Sequence, residues 1–184
     1  MYNINSRTRD LILTALMIAF VFIATMIIKI PTVGGYVHLG DCMVFLSVVV
    51  LGKKRGAFSS AIGMALVDIT SGYYVWAPFT FVIKWGMAYI AGAILEKLDN
   101  GEEHKVIKKD EIIAFSIGGI FMVIAYFLAG AIIAAFLTGN VGLIQGLVLA
   151  AKDIGTNIVQ VSVGIVLAMP LSLILVPIKK KIFS

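Results

Sequence analysis

Charge is what this sequence has least of. Only 14% of its 184 residues are Asp, Glu, Lys or Arg, against 60% hydrophobic residues and a mean hydropathy of +1.03. These values lie outside the range of water-soluble domains and indicate an integral membrane protein. Cys42 is the only cysteine, which excludes an intrachain disulfide and a metal site built on several thiolates. No Gly-x-x-x-x-Gly-Lys-Ser/Thr loop is present, so the chain has no visible means of hydrolysing ATP. A nucleophile elbow, a His-Glu-x-x-His pair and a metal-spaced His/Cys cluster are also missing, so neither an enzyme nor a metal site is expected. Nor is there a ladder of gating charges or a filter-like repeat for a channel. The halves show no clear inverted repeat, which weakens the case for a self-sufficient secondary transporter. The formal charge of +5 does not point to nucleic acid, because the basic residues stand in short clusters between apolar runs, as topology signals do.

The apolar runs predict an all-α membrane protein, a single domain over residues 1–184 with about six spans of roughly 20 residues each. Helices are expected near 8–30, 41–52, 56–71, 79–97, 112–138 and 150–176. The first run follows Arg7 and Arg9 and is too long for a signal-peptide core. Ala15 and Ala19 stand one turn apart on it, a small-residue stripe that suits either internal packing or a docking helix. Lys29 and Pro31 are expected to end it. The second run, 42–51, covers only about half of the hydrocarbon thickness at ~1.5 Å per residue. That shortness places His38 and Asp41, at the end of the polar stretch 34–41, at membrane depth. The sequence Gly52-Lys53-Lys54-Arg55-Gly56 reads as a tight basic turn. With the other basic clusters it falls on one side of a six-span arrangement, so by the positive-inside rule both termini are cytoplasmic.

Ionisable groups inside such spans cost several kcal/mol unless paired or hydrated, so they are functional candidates by default. Asp41, Asp68 and Asp153 can be set against Lys29, Lys84 and Lys152, all toward the outer side. Asp153, Asn157, Gln160 and Gly164 recur every three or four residues and share one helical face. The plainer explanation of any one of them is an ion pair or hydrogen bond that only fastens the bundle. Tyr36, Tyr73, Tyr74, Trp76 and Trp85 add flat apolar surfaces beside them. Aromatic walls with a few placed polar groups are what a small heteroaromatic ligand needs.

The order Ala15-x-x-x-Ala19, Ile30-Pro31, Gly34-Gly35-Tyr36-Val37-His38-Leu39-Gly40-Asp41, Leu51-Gly52, Arg55-Gly56-Ala57, Asp68 to Gly72-Tyr73, Trp76-Ala77-Pro78 and Lys84 resembles the substrate-binding S component of an energy-coupling factor (ECF) transporter. The resemblance is most specific over residues 15–95 and is closest to the hydroxymethylpyrimidine or pyridoxine branch. It implies a six-helix vitamin-binding subunit in the plasma membrane of a prokaryote, without a cofactor of its own. Its partners would be a transmembrane coupling subunit and two cytoplasmic ATPases that use ATP, with Ala15 and Ala19 at the interface. The substrate-binding residues expected are Tyr36, His38, Asp41, Asp68, Trp76, Lys84, Asp153, Asn157 and Gln160. His38 and Asp41 would hydrogen-bond from the first outer loop, Asp68 and Lys84 would be charged anchors, Tyr36 and Trp76 stacking surfaces, and the last three a polar wall. A riboflavin- or other vitamin-specific S component and a self-contained secondary transporter are the alternatives.

Overall fold

The computed structural model describes residues 6–32, 35–98, 109–138 and 141–183. The chain runs through α1 (Ser6–Ile27), β1 (Lys29–Thr32), β2 (Gly35–His38), α2 (Gly40–Thr70), α3 (Ala77–Leu98) and α4 (Lys109–Ile132). A π-helical segment (Ile133–Thr138), α5 (Leu143–Ala151) and α6 (Ile154–Phe183) complete it. Helix dominates because hydrocarbon offers no water to unpaired backbone groups, so each apolar run satisfies its own N–H and C=O internally.

Helix α2 is not one rod. Gly52 has φ 77° and ψ 175°, a positive-φ extended conformation essentially confined to glycine and costing a residue with a side chain about 1–3 kcal/mol, and the chain reverses there. Ser60 Oγ reaches the Val44 carbonyl at 3.5 Å, and a Cβ on Gly56 would lie 2.7 Å from Val48 Cα. Residue numbers therefore fall along the first arm (40–51) as they rise along the second (53–70), which makes the arms antiparallel. They correspond to the expected helices 41–52 and 56–71. Gly56→Val is expected to destabilise the bundle by about 1–3 kcal/mol or more, since the new side chain meets Val48 and Ser47 backbone that cannot swing aside. Gly155→Ala, with nothing within 4 Å, is the matched control, and thermal melts of the two variants check the difference.

Helix directions follow from contacts. α1 runs parallel to the second arm of α2, with Asp10 on Arg55 at 2.5 Å and Met26 near Ser71 at 3.8 Å. α3 runs parallel to the first arm, pairing Lys84 with Asp41 and Gly92 with Val48. α4 is antiparallel to α3 through Met87–Gly118, Lys84–Met122 and Thr80–Tyr126. α6 is antiparallel to α4 through Gly119–Val161 and Glu111–Ser172. The passes thus alternate in direction around a core in which Phe45 stacks on Phe115 at 4.4 Å among Val44, Met64, Met87 and Met122.

α1, α3, α4 extended through the π segment, and α6 are long and apolar enough to cross a membrane; the arms of α2 are shorter. One end of the bundle holds Arg7, Arg9, Lys53, Lys54, Arg55, Lys97 and Lys109, whereas Lys29 and Lys152 lie at the other. α1 is the least enclosed helix. Only its Met17, Val21 and Thr25 are buried, and Ala15 and Ala19 stand exposed beside Leu16, Phe20 and Ile23.

Three expectations need correcting. α1 stops at Ile27 instead of reaching residue 30, and residues 29–32 pair with 35–38 as an antiparallel ribbon where a loop was expected. Pro31 is tolerated because a two-stranded ribbon consists only of edges. The last helix starts at Ile154, not 150, because a separate helix, α5, occupies 143–151 and leaves Lys152 and Asp153 in the turn. The hydrophilic connection 99–108 and the turn at 139–140 lie outside the described residues.

Candidate functional site

Opposite the basic end, side chains from α2, α3, α4 and α6 meet in a buried polar cluster. Asp41, in the first turn of α2, and Lys84, about a third of the way along α3, are both 0% exposed. Lys84 Nζ donates to Asp41 Oδ1, approaches Met122 Sδ at 3.0 Å and lies 5.3 Å from the centre of the Tyr126 ring. Gln160 Nε2 donates to the other carboxylate oxygen at 2.9 Å. Gly164 makes room for this arrangement, since a Cβ there would stand 2.9 Å from the Asp41 Cβ. An ion pair removed from water holds only if hydrogen bonds satisfy its remaining lone pairs, and Gln160 supplies that bond.

His38 joins the ribbon to this cluster. Its backbone N–H donates to Gln160 Oε1 at 3.4 Å, and its Nδ1 accepts from the Gly40 N–H at 3.0 Å. The imidazole therefore satisfies one free N–H at the start of α2, where Leu39 offers no side-chain cap.

Beside the cluster lies a cavity of about 380 Å³. Its walls are the 72–76 connection with Tyr73, Tyr74 and Trp76, then Gly130, Ile133 and Ala134, then Leu149 and Ala150 of α5, and finally Lys152 and Asp153. The π-helical segment widens the turn that carries Ile133 and Ala134, a local departure that recurs at functional sites. Trp76 connects cavity and cluster: its ring lies 6.1 Å from that of Tyr126, whose hydroxyl donates to Thr80 Oγ1 at 3.3 Å. Tyr126 thus has Lys84 near one part of its ring and Trp76 near another.

Burial raises the Asp153 carboxyl above the usual carboxylate range, with adjacent Lys152 opposing the shift. The fold therefore disfavours the ionised form, and this penalty appears as pH rises through the folded-state pKa. Asp153→Asn is expected to melt no lower than wild type at neutral pH, with any gain vanishing toward acid. If the carboxylate meets ligand, the same substitution weakens binding about tenfold or more; calorimetry and melts on one preparation check both.

The expected site residues fall into three places. His38, Asp41, Lys84 and Gln160 meet in the cluster, while Trp76 and Asp153 line the cavity. Asp68 does not join Lys84. It lies at the far end of the second α2 arm, near Lys29, whose Nζ is 2.5 Å from Ser71 Oγ and 5.7 Å from the Tyr73 ring centre. The Lys29 ammonium is held below its ordinary pKa, chiefly by burial, with Asp68 opposing. Asn157 is half-buried on α6 between Asp153 and Gln160. The Tyr36 side chain lies outside the described residues.

Sequence reasoning missed Tyr126, Thr80, Met122 and the apolar wall from α4 and α5. Tyr126 carried a usable signal, a hydroxyl in an otherwise apolar span. Among the described residues no group of three His, Cys, Asp or Glu is placed to hold a metal ion.

The chain is 28% identical over 171 residues to the thiamine precursor transporter HmpT of Lactococcus lactis subsp. cremoris (strain MG1363), covering 91% of this chain and 88% of that protein. The family model described as "ECF-type riboflavin transporter, S component" matches residues 5–177. The alternating apolar helices, the cavity at the end away from the basic turns and this match over nearly the whole sequence identify the chain as a multi-pass membrane protein belonging to the ECF-type riboflavin transporter S component family.

Proposed function

We propose that this chain captures a thiamine precursor of the hydroxymethylpyrimidine class and delivers it as the substrate-specific subunit of an ATP-driven importer. The observation that carries the reading is the cavity of about 380 Å³, which combines aromatic side chains with the Lys152–Asp153 turn. Its volume is near the lower end of the roughly 300–1,000 Å³ typical of ligand sites, which suits a single substituted ring. Trp76, Tyr73 and Tyr74 offer faces for a heteroaromatic ring, and Asp153 can accept from an exocyclic amine. The similarity to HmpT supports the same substrate class.

In this reading both termini are cytoplasmic, so the cavity faces outward. The ligand enters beneath the ribbon, and the bundle reorients against a transmembrane coupling subunit while two partner ATPases hydrolyse ATP. The exposed face of α1 around Ala15 and Ala19 is where that subunit docks. Ala15→Trp is expected to leave ligand affinity unchanged while lowering co-purification with the coupling subunit about tenfold or more, because a large side chain prevents close helix approach. Undiminished co-purification would return this face to lipid.

Riboflavin is the second reading, favoured by the description of the matching family; its tricyclic ring and polyol chain demand more of the cavity. A thermal-shift screen of the purified protein against hydroxymethylpyrimidine, pyridoxine, riboflavin and thiamine separates them. Stabilisation by hydroxymethylpyrimidine supports the proposal, and stabilisation by riboflavin alone replaces it. Sustained accumulation in proteoliposomes lacking any ATPase would instead indicate a self-contained transporter.

A further inference from the structure

Gly130 stands where three walls of the cavity meet. It sits in the last turn of α4, just before Ile133 and Ala134, which line the same space. A Cβ there would be 3.3 Å from the Ala150 Cβ of α5 and 3.5 Å from Trp76 Cη2, and both neighbours line the cavity. Cη2 belongs to the outer edge of the indole's six-membered ring. A methyl on residue 130 would therefore fill the junction between the indole and α5.

Nothing else in the fold demands glycine at this position. Its φ is not positive, and within a helix glycine is disfavoured relative to alanine. Close approach of α5 to α4 is secured elsewhere, since a Cβ on Gly146 would stand 2.6 Å from the Ala131 carbonyl oxygen, which is backbone and cannot swing aside. At Gly130 the neighbours are a methyl and a ring edge, at separations that an alanine meets with a shift of a few tenths of an ångström. The bundle tolerates a side chain here, and the cavity is what loses space. One methylene more or less in an apolar pocket changes discrimination between ligands about 10- to 200-fold.

We infer that Gly130 and Ala150 are specificity-determining residues that set the largest ring system the cavity accepts, one substituted six-membered ring without a second ring attached to it. This role rests on the cavity being the ligand site; the filling of the junction by a side chain at 130 does not.

Two measurements test it. The chain has two tryptophans, and Trp85 stacks on Tyr89 without lining the cavity, so a Trp85→Phe background leaves Trp76 as the reporter. In that background, without ligand, Gly130→Val is expected to cut acrylamide quenching of Trp76 fluorescence by about half or more, because the new side chain packs against the indole edge. Unchanged quenching overturns the steric claim. Calorimetry with hydroxymethylpyrimidine and thiamine then reads specificity. Gly130→Ala is expected to weaken hydroxymethylpyrimidine about tenfold and Gly130→Val more; the alanine variant serves alone in both measurements if the valine variant fails to fold. Ala150→Gly widens the same junction and is expected to strengthen thiamine about tenfold or more relative to hydroxymethylpyrimidine. Wild-type affinity for hydroxymethylpyrimidine in folded Gly130→Ala, an unchanged ratio in Ala150→Gly, or equal binding of both compounds by the wild-type protein overturns the size limit. If the wild-type protein binds neither compound, the substrate reading fails and the size limit with it, whereas the quenching result still decides whether residue 130 governs the junction.

Discussion

Lys84→Met is expected to lower the stability of the bundle by about 3–5 kcal/mol, because it leaves the Asp41 carboxylate buried without its counter-charge. Both side chains are fully enclosed, and neither can turn to water or to a headgroup without unpacking α2 from α3. Met122 and the Tyr126 ring, the other neighbours of the ammonium, supply no positive charge to replace it. Gln160 still donates to Asp41, but a neutral donor does not offset a buried charge. Adding Asp41→Asn to Lys84→Met is expected to recover much of the loss, since an asparagine carbonyl can keep the Gln160 bond and no net charge remains inside. Thermal or denaturant unfolding in one detergent measures all three proteins. A single variant that melts with wild type, or a double variant no better than the single, would show that the pair is not what fastens these helices.

Trp76→Ala is expected to reduce ligand affinity about 10- to 100-fold, the range for removing one aromatic face from a stacked base. The indole is half-buried and belongs to the cavity wall, and it also packs near Tyr126. Truncation therefore removes a contact surface and opens the cavity toward the Lys84 cluster, both of which weaken capture. Trp85→Ala is the control, since that indole stacks on Tyr89 at 4.9 Å and does not line the cavity. Calorimetric titration with hydroxymethylpyrimidine reads the contrast. Equal losses in the two variants would mean a general loosening, and no loss in Trp76→Ala would remove the indole from the site.

Several features were legible in the sequence for physical reasons that survive inspection. The Gly52–Gly56 turn could be read because two glycines bracket three consecutive cations, which hydrocarbon does not accept. The set of buried charges was legible in kind, since a carboxylate and an ammonium inside apolar runs need each other. Their pairing was not: Asp41 meets Lys84, whereas Asp68 lies near Lys29, because partner choice depends on helix register that no local pattern encodes. The ribbon was obscured by Pro31 and by the glycines at 34 and 35, which read as a loop before the register with 29–32 is known. The cavity wall from α4 and α5 was hidden more completely. Gly130, Ile133, Ala134 and Leu149 are residues that a lipid-facing helix would also carry, and only the fold distinguishes a surface that lines a cavity from one turned to acyl chains.

The first arm of α2 has an electrical consequence. Its residues 40–51 rise only about 18 Å at ~1.5 Å each, against a hydrocarbon core of about 30 Å. With the basic turn at Gly52 on the cytoplasmic face, as proposed above, Asp41 and the ribbon base would lie inside the dielectric, with the outer part of the bilayer beyond them. A molecule drawn toward that level traverses part of the voltage drop before any transport step begins. Full passage of one elementary charge is worth about 2.3 kcal/mol per 100 mV, so a cationic ligand would be captured with an affinity that follows membrane potential. A neutral one would bind equally well in an energised and a depolarised cell.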